Sequence, residues 1–196
     1  MDLVYSPGIR EREQTGMKNL LLTGRPGIGK TTVVRKLIEK LDVPTGGFYT
    51  EEIRTGNTRA GFRVVDLEGP HGLLAHVDRK KISTSEGRQP PRVGKYHVDV
   101  RSFDAIGVPA LEGAISAGNL VVVDEIGRME LFSERFQSAV VRALDAPNTM
   151  VAVIQQRPDS LLNQIRARSD VHLLTVTLEN RDSLPAELAT MLRATP

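Results

Sequence analysis

The sequence predicts an α/β fold, with a mostly parallel sheet between helices and an antiparallel hairpin insertion at about 47–100. Three observations point to it. Leu20-Leu21-Leu22 and Leu120-Val121-Val122-Val123 are continuous apolar runs of the kind that strands buried on both faces require. Segments with helical spacing of apolar residues follow such runs in alternation, which implies right-handed crossovers between parallel strands. The stretch 47–77 instead carries β-rich runs separated by turn residues, the pattern of hairpins.

In order along the chain, residues 1–16 mix Gly, Pro, Arg and Glu without an apolar period and are expected to form a mobile extension, with Met17 a natural start. Residues 17–196 are expected to form one domain. A strand over Asn19 to Thr23 leads through a glycine-rich stretch into a helix whose Val33, Val34, Leu37, Ile38 and Leu41 share a face. Pro44 and Gly46-Gly47 end it. Gly47 to Thr50, Gly61 to Val65 and Leu73 to Val77 are expected as hairpin strands forming a flap, the first two joined by a turn over Thr55 to Thr58. Residues 78–94 show no period and read as a long exposed loop. A short strand near Tyr96 to Val100 precedes a helix at about 103–117, and the Leu120 strand ends at Asp124-Glu125. Phe136, Val140, Val141 and Leu144 mark the next helix, with Ser133 as N-cap. A strand over Thr149 to Ile154, a helix at 159–168, a strand over Val171 to Val176 and a helix carrying Leu184, Leu188, Met191 and Leu192 complete the chain.

Composition excludes several classes of function. The chain has no cysteine, so disulfides, thiolate metal sites and a cysteine nucleophile are absent, and a reducing cytoplasm suits it. With 26 basic and 24 acidic residues the surface is nearly balanced, which does not mark a nucleic-acid binder. No apolar run reaches the roughly 18 residues of a membrane helix, and the first residues lack the pattern of a signal peptide. The four histidines, His71, His76, His97 and His172, have no metal-ligand spacing.

Gly24-Arg25-Pro26-Gly27-Ile28-Gly29-Lys30-Thr31 fits G-x-x-x-x-G-K-[ST] in full. Glycines at these positions let the backbone curl until successive N–H groups face phosphate oxygens. The positive end of the following helix adds to the attraction. Lys30 reaches β- and γ-phosphates, and the Thr31 hydroxyl ligates Mg²⁺. The second carboxylate-bearing strand supplies the Walker B pattern: Asp124 holds Mg²⁺, and Glu125, pointing differently because side chains alternate, orients or deprotonates an attacking water. Charge stabilisation needs a further cation, for which Arg25, Arg128, Arg157, Arg168 and Arg181 are candidates, headed by Arg128 and Arg157.

With Gly24 to Thr32, Gly47-Phe48-Tyr49-Thr50-Glu51-Glu52-Ile53-Arg54, Gly61-Phe62, Val93-Gly94-Lys95-Tyr96, Val123-Asp124-Glu125-Ile126-Gly127-Arg128-Met129-Glu130-Leu131 and Glu179-Asn180-Arg181, the chain resembles the thermostable nucleoside-triphosphatase family. The resemblance runs from about Met17 to the C-terminus. It implies a RecA-like P-loop domain, a three-layer sandwich that hydrolyses several nucleoside triphosphates, ATP and GTP among them, with Mg²⁺. It also implies nucleotide contacts at Gly24, Arg25, Pro26, Gly27, Ile28, Gly29, Lys30, Thr31 and Thr32 and at Val121, Val122, Val123, Asp124, Glu125, Ile126, Gly127 and Arg128. Two features depart from the family pattern: residues 1–16 have no counterpart, and Ile154-Gln155-Gln156-Arg157 is less basic than expected.

A triphosphatase of broad base tolerance is therefore the leading expectation, since the recognisable residues address phosphates and no Asn-Lys-x-Asp guanine reader is present. The alternatives are a small-molecule or nucleotide kinase with 78–94 as its lid, and a nucleotide-dependent switch in which the 47–77 hairpins move. Nucleoside triphosphates are the expected partners of a cytoplasmic monomer.

Overall fold

The computed structural model describes residues 18–84 and 88–193; the extension expected at 1–16 lies outside the described residues. Among the described residues, nine strands and five α-helices follow one another as β1 (Asn19–Thr23), α1 (Lys30–Ile38), β2 (Thr45–Thr55), β3 (Thr58–Asp66), β4 (His71–His76), β5 (Arg92–Val93), β6 (Tyr96–Val98), α2 (Val100–Ser116), β7 (Leu120–Ile126), α3 (Glu134–Asp145), β8 (Met150–Ile154), α4 (Ser160–Arg166), β9 (Val171–Thr175) and α5 (Leu184–Arg193). All nine strands form one sheet in the order β5-β6-β4-β3-β2-β7-β8-β1-β9. β2, β7, β8, β1 and β9 run parallel, and β3, β4, β6 and β5 extend the sheet antiparallel from β2.

Helices cover both faces, and the period-two alternation of the strands divides the core between them. Leu21, Val121, Val123, Ala152 and Ile154 face Phe103 and Leu111 of α2 and Phe136, Val140 and Leu144 of α3. Leu20, Leu22, Val122, Val151 and Val153 face Val33, Val34 and Leu37 of α1 and Leu184 and Leu188 of α5. Phe48, Phe103 and Phe136 meet edge-on, with ring centroids 5.1 to 5.7 Å apart, and lock α2 and α3 onto β2. This is the expected three-layer RecA-like sandwich.

Side-chain caps fix where helices begin. Ser133 Oγ accepts from Phe136 N, as its position suggested, and Asp99 and Asp159 act in the same way for α2 and α4. The cap at Asp99 starts α2 at Val100, so the preceding strand stops at Val98.

Several local expectations need revision. The hairpins are not a flap resting on the sheet but a continuation of it, because β2 pairs with β7 on one side and β3 on the other. The described part of 78–94 is mostly exposed, as expected, but it is anchored: Asp78 caps a 3-10 turn at Arg79–Lys81, Ile82 and Pro90 are buried, and Ser83 N donates to Asp99 Oδ2. Val141 is 38% exposed, so it does not share the buried face of Phe136 and Val140. The strand expected to end at Asp124-Glu125 continues to Ile126, which pairs with Ile154.

Candidate nucleotide site

β1 is buried along its whole length, and Thr23 Oγ1 donates to the Ile154 carbonyl at 2.9 Å, pinning the start of the phosphate loop to β8. Gly24 follows at φ 149°, where a Cβ would stand 2.8 Å from the Val176 carbonyl oxygen. Gly29 closes the loop at φ 109° and ψ 21°, a left-handed conformation that glycine adopts without strain. It begins α1 without any side-chain cap, so the first N–H groups of the helix are left for a ligand. Lys30 Nζ lies within the loop, donating to the carbonyls of Gly24 at 3.1 Å and Arg25 at 3.2 Å.

Across from the loop, Thr31 Oγ1 donates to Asp124 Oδ1 at 3.1 Å, joining α1 to β7. Asp124 is 2% exposed, and its Oδ2 is buried without a hydrogen-bond partner. Burial pushes this carboxyl up to about 6, with the Glu125 charge adding to the rise and the Thr31 hydrogen bond opposing it. An orphaned buried oxygen next to a hydroxyl is a hard-oxygen donor pair that fits Mg²⁺, a cation normally held by one or two carboxylates with water and phosphate.

The register of β7 against β8 shifts between Val123 and Ile126, so Asp124 and Glu125 sit in an irregularity of the ladder. Such bulges re-aim side chains. Glu125 is half-buried and lines the cavity beside the loop, while Asp124 stays within the protein. Among the described residues no ion pair joins Glu125 to Arg128. Behind them Glu130 is 5% exposed, and burial, reinforced by the Glu125 charge, pushes its carboxyl up to about 8.

The cavity measures about 920 Å³. Gly24, Pro26, Gly27, Gly29, Lys30, Thr31, Thr32 and Glu125 line it, whereas Arg25 and Ile28 of the loop do not. Val121, Val122, Val123 and Ile126 are wholly buried strand residues behind the site, and Gly127 is buried beyond them. Arg128 is exposed and outside the lining; its backbone N–H donates to Gln155 Oε1 at 3.1 Å. Of the other candidate cations, Arg157 lines the cavity and Arg181 reaches the Ile28 carbonyl at 3.5 Å. Arg168 lies by the first residue of β1, at the other end of that strand, paired with Asp145 at 2.9 Å and Asp170 at 2.8 Å.

Sequence reasoning missed half of the cavity wall: Arg35 of α1, Thr50, Glu51 and Glu52 of β2, Arg59 and Phe62 of β3, and Gln155 and Gln156 after β8. The two glutamines had a signal, because the C-terminal ends of parallel strands share one edge of the sheet. Thr50, Glu51, Glu52 and Phe62 had only their place in the family-like segments Gly47 to Arg54 and Gly61-Phe62, which assigned them no role; the β2–β3 register is what brings Glu52 opposite Phe62.

The glycine loop on a parallel strand, the uncapped helix and the Thr31–Asp124 pair define a P-loop nucleotide-binding protein. The family model described as NTPase matches residues 19–189. The chain is 49% identical over 178 residues to nucleoside-triphosphatase THEP1 of Thermofilum pendens, covering 88% of this chain and 93% of that protein. It is 41% identical over 188 residues to the cancer-related nucleoside-triphosphatase of Homo sapiens, covering 90% and 97%. The solution structure of a human cancer-related nucleoside triphosphatase superposes with a TM-score of 0.77 at 39% identity, covering 91% of this chain and 99% of that one. For the crystal structure of THEP1 from Aquifex aeolicus the TM-score is 0.76 at 34% identity, over 89% and 98%. The chain belongs to this NTPase family.

Proposed function

We propose that this protein is a Mg²⁺-dependent nucleoside triphosphatase that converts ATP, GTP and other nucleoside triphosphates to diphosphate and phosphate. The observation that carries the reading is the convergence of Lys30, Thr31 and Glu125 on one cavity, with Asp124 buried behind it and hydrogen-bonded to Thr31. Loop N–H groups and Lys30 bind the β- and γ-phosphates and meet the charge that develops there. Thr31 Oγ1 and Asp124 are the residues that would hold Mg²⁺, which when bound neutralises charge on the phosphate oxygens. Glu125 accepts a proton from the attacking water as its oxygen bonds to the γ-phosphorus; the bond to the β–γ bridging oxygen breaks, leaving diphosphate and phosphate. Arg157, exposed on the cavity wall, is the better-placed cation for the transition state than Arg128.

Broad base tolerance is supported by the site residues, which address phosphates, and by Asn180, whose Oδ1 already accepts from Thr177 N. Absence of cysteine is compatible with the reducing cytoplasm proposed for it, and sedimentation of the purified chain would test the proposed monomer. No helix among the described residues is long and apolar enough to cross a membrane.

The deciding experiment measures phosphate release from ribo- and deoxynucleoside triphosphates, with Mg²⁺ and with chelator, for wild type and Glu125→Gln. Several bases should turn over, only with Mg²⁺. The variant should bind triphosphate but release phosphate about 10²–10⁴-fold more slowly. Tight binding with negligible release by wild type would sink the hydrolytic reading.

A further inference from the structure

Three carboxyls gather at the end of β7, and hydrolysis as described uses only two of them. Asp124 and Glu130 are buried and Glu125 is half-buried, and among the described residues no cation is ion-paired to any of the three. The Glu125 charge bears on Glu130 more strongly than the Asp124 charge does. An acid at position 130 is therefore costly, because burial and two negative neighbours all oppose its ionisation. An apolar side chain would fill the same space without that cost, so the position calls for something only a polar group supplies.

What it supplies is a grip on one turn. Glu130 Oε2 lies 3.1 Å from the point where a Cβ on Gly127 would stand, and the backbone N–H groups of Glu130 itself and of Gly127 are its hydrogen-bond donors. Leu131 N closes the turn by donating to the Gly127 carbonyl at 3.0 Å. Gln155, which lines the cavity, presses on the same glycine: its Nε2 is 2.6 Å from that Cβ point, while its Oε1 accepts from Arg128 N at 3.1 Å. Gly127 is thus glycine for lack of room, since the Gln155 amide and the Glu130 carboxyl both close on it. An apolar residue at 130 would take a buried acceptor away from the Gly127 N–H, a loss the protein interior does not make good.

The gripped turn lies two residues past Glu125, where the sheet itself gives little support. Pairing of β7 with β2 ends at Asp124, and its register with β8 shifts between Val123 and Ile126. The backbone of Glu125 is therefore held from its C-terminal side, by Ile126 against Ile154 and by Gly127 in its clamp. We propose that Glu130 is a positioning residue for hydrolysis: its carboxyl grips the Gly127 turn from within the protein and so fixes where the Glu125 carboxylate stands against the attacking water. The proposal rests on the role assigned above to Glu125. Glu130 touches no substrate, and its whole effect on the reaction passes through Glu125. A displacement of about 1 Å at a reacting group costs up to about 100-fold in rate, so a loosened turn is felt in turnover before it is felt in binding.

The test is a double-mutant cycle on the full chain, with phosphate release from ATP and Mg²⁺ measured at pH 7 for Glu130→Ala, Glu125→Gln and the two combined. Glu130→Ala should lower kcat about 10–100-fold, with KM and the affinity for the β,γ-imido analogue of ATP unchanged. Glu130→Gln should recover most of that loss, because the native carboxyl, pushed up to about 8, keeps its proton at this pH and an amide oxygen still accepts from Gly127 N. In the Glu125→Gln background Glu130→Ala should change the residual release about twofold or less, since its route to the reaction is already cut. Should Glu130→Ala lose its fold by circular dichroism, Glu130→Asp, whose carboxyl falls one methylene short of the turn, takes its place in the same cycle. A wild-type kcat in Glu130→Ala, a loss confined to KM, or a second full loss on top of Glu125→Gln would overturn the positioning role and leave the triphosphatase reading intact. No release by wild type, or a wild-type rate in Glu125→Gln alone, would sink that reading and this role with it.

Discussion

β1 and β8, at the centre of the parallel half, are buried along all five of their residues, whereas β2 beyond Phe48 has no buried residue and β3 is buried only at Ala60, Gly61 and Val64. One sheet therefore holds together in two ways. Apolar side chains from both helical layers clamp the parallel half and hold the cradle and the Thr31–Asp124 pair in fixed geometry. The hairpin half is clamped on one face only, where Val64, Leu74, Ala75 and Val98 join the core with α2; its strands otherwise add ion pairs such as Arg54–Glu52 and Arg63–Glu51, and exposed pairs contribute about 1 kcal/mol or less each. Rigidity is concentrated where phosphate must be met by preset N–H groups, and a more exposed, charged surface forms the opposite wall of the cavity.

Four substitutions test that contrast. Lys30→Ala should abolish phosphate release and weaken triphosphate binding while leaving the fold intact, because Lys30 bonds only to loop carbonyls; steady-state kinetics and circular dichroism check both halves of the statement. Leu21→Ala, in the fully buried β1, should cost about 2–5 kcal/mol by denaturant unfolding.

Glu130→Gln should act through pH. The folded carboxyl sits at about 8 against an ordinary 4.5, so the folded state binds the proton more tightly than the unfolded state. Its stabilising effect is full at low pH, declines as pH rises through the interval between those values, and is gone above about 8. Asp124 adds a similar slope only up to about 6, so the interval between 6 and 8 reports Glu130. Thermal unfolding of the variant should show a weaker pH dependence there and a gain of about 1 kcal/mol or more at pH 8. Arg54→Ala should change stability by about 1 kcal/mol or less; a loss equal to that of Leu21→Ala would break the contrast between the two halves.

The parallel half was also the legible half. Leu20 to Leu22 and Leu120 to Val123 announce buried strands because nothing else tolerates continuous apolar runs followed by such polar chemistry, and Lys30, Thr31, Asp124 and Glu125 follow from local spacing. The hairpin wall was not legible, since Arg59 and Phe62 reach the cavity through pairing that only the register defines. Glu130 was hidden for another reason: acidic residues are ordinarily exposed, and only the turn after β7 buries this one. The bulge at Asp124-Glu125 leaves no mark in composition, yet it carries β7 on to Ile126.

β1 lies between β8 and β9. The residues that open the cradle are thus made well before the two strands that flank them, β8 and β9. The Thr23–Ile154 hydrogen bond spans 131 residues. Chains fold as they are synthesised, at roughly 5–20 residues per second, and such distant pairings form late. A nascent chain that has not yet emerged through Thr175 leaves β1 without one neighbour, so the phosphate loop becomes able to grip nucleotide only after β8 and β9 have been made.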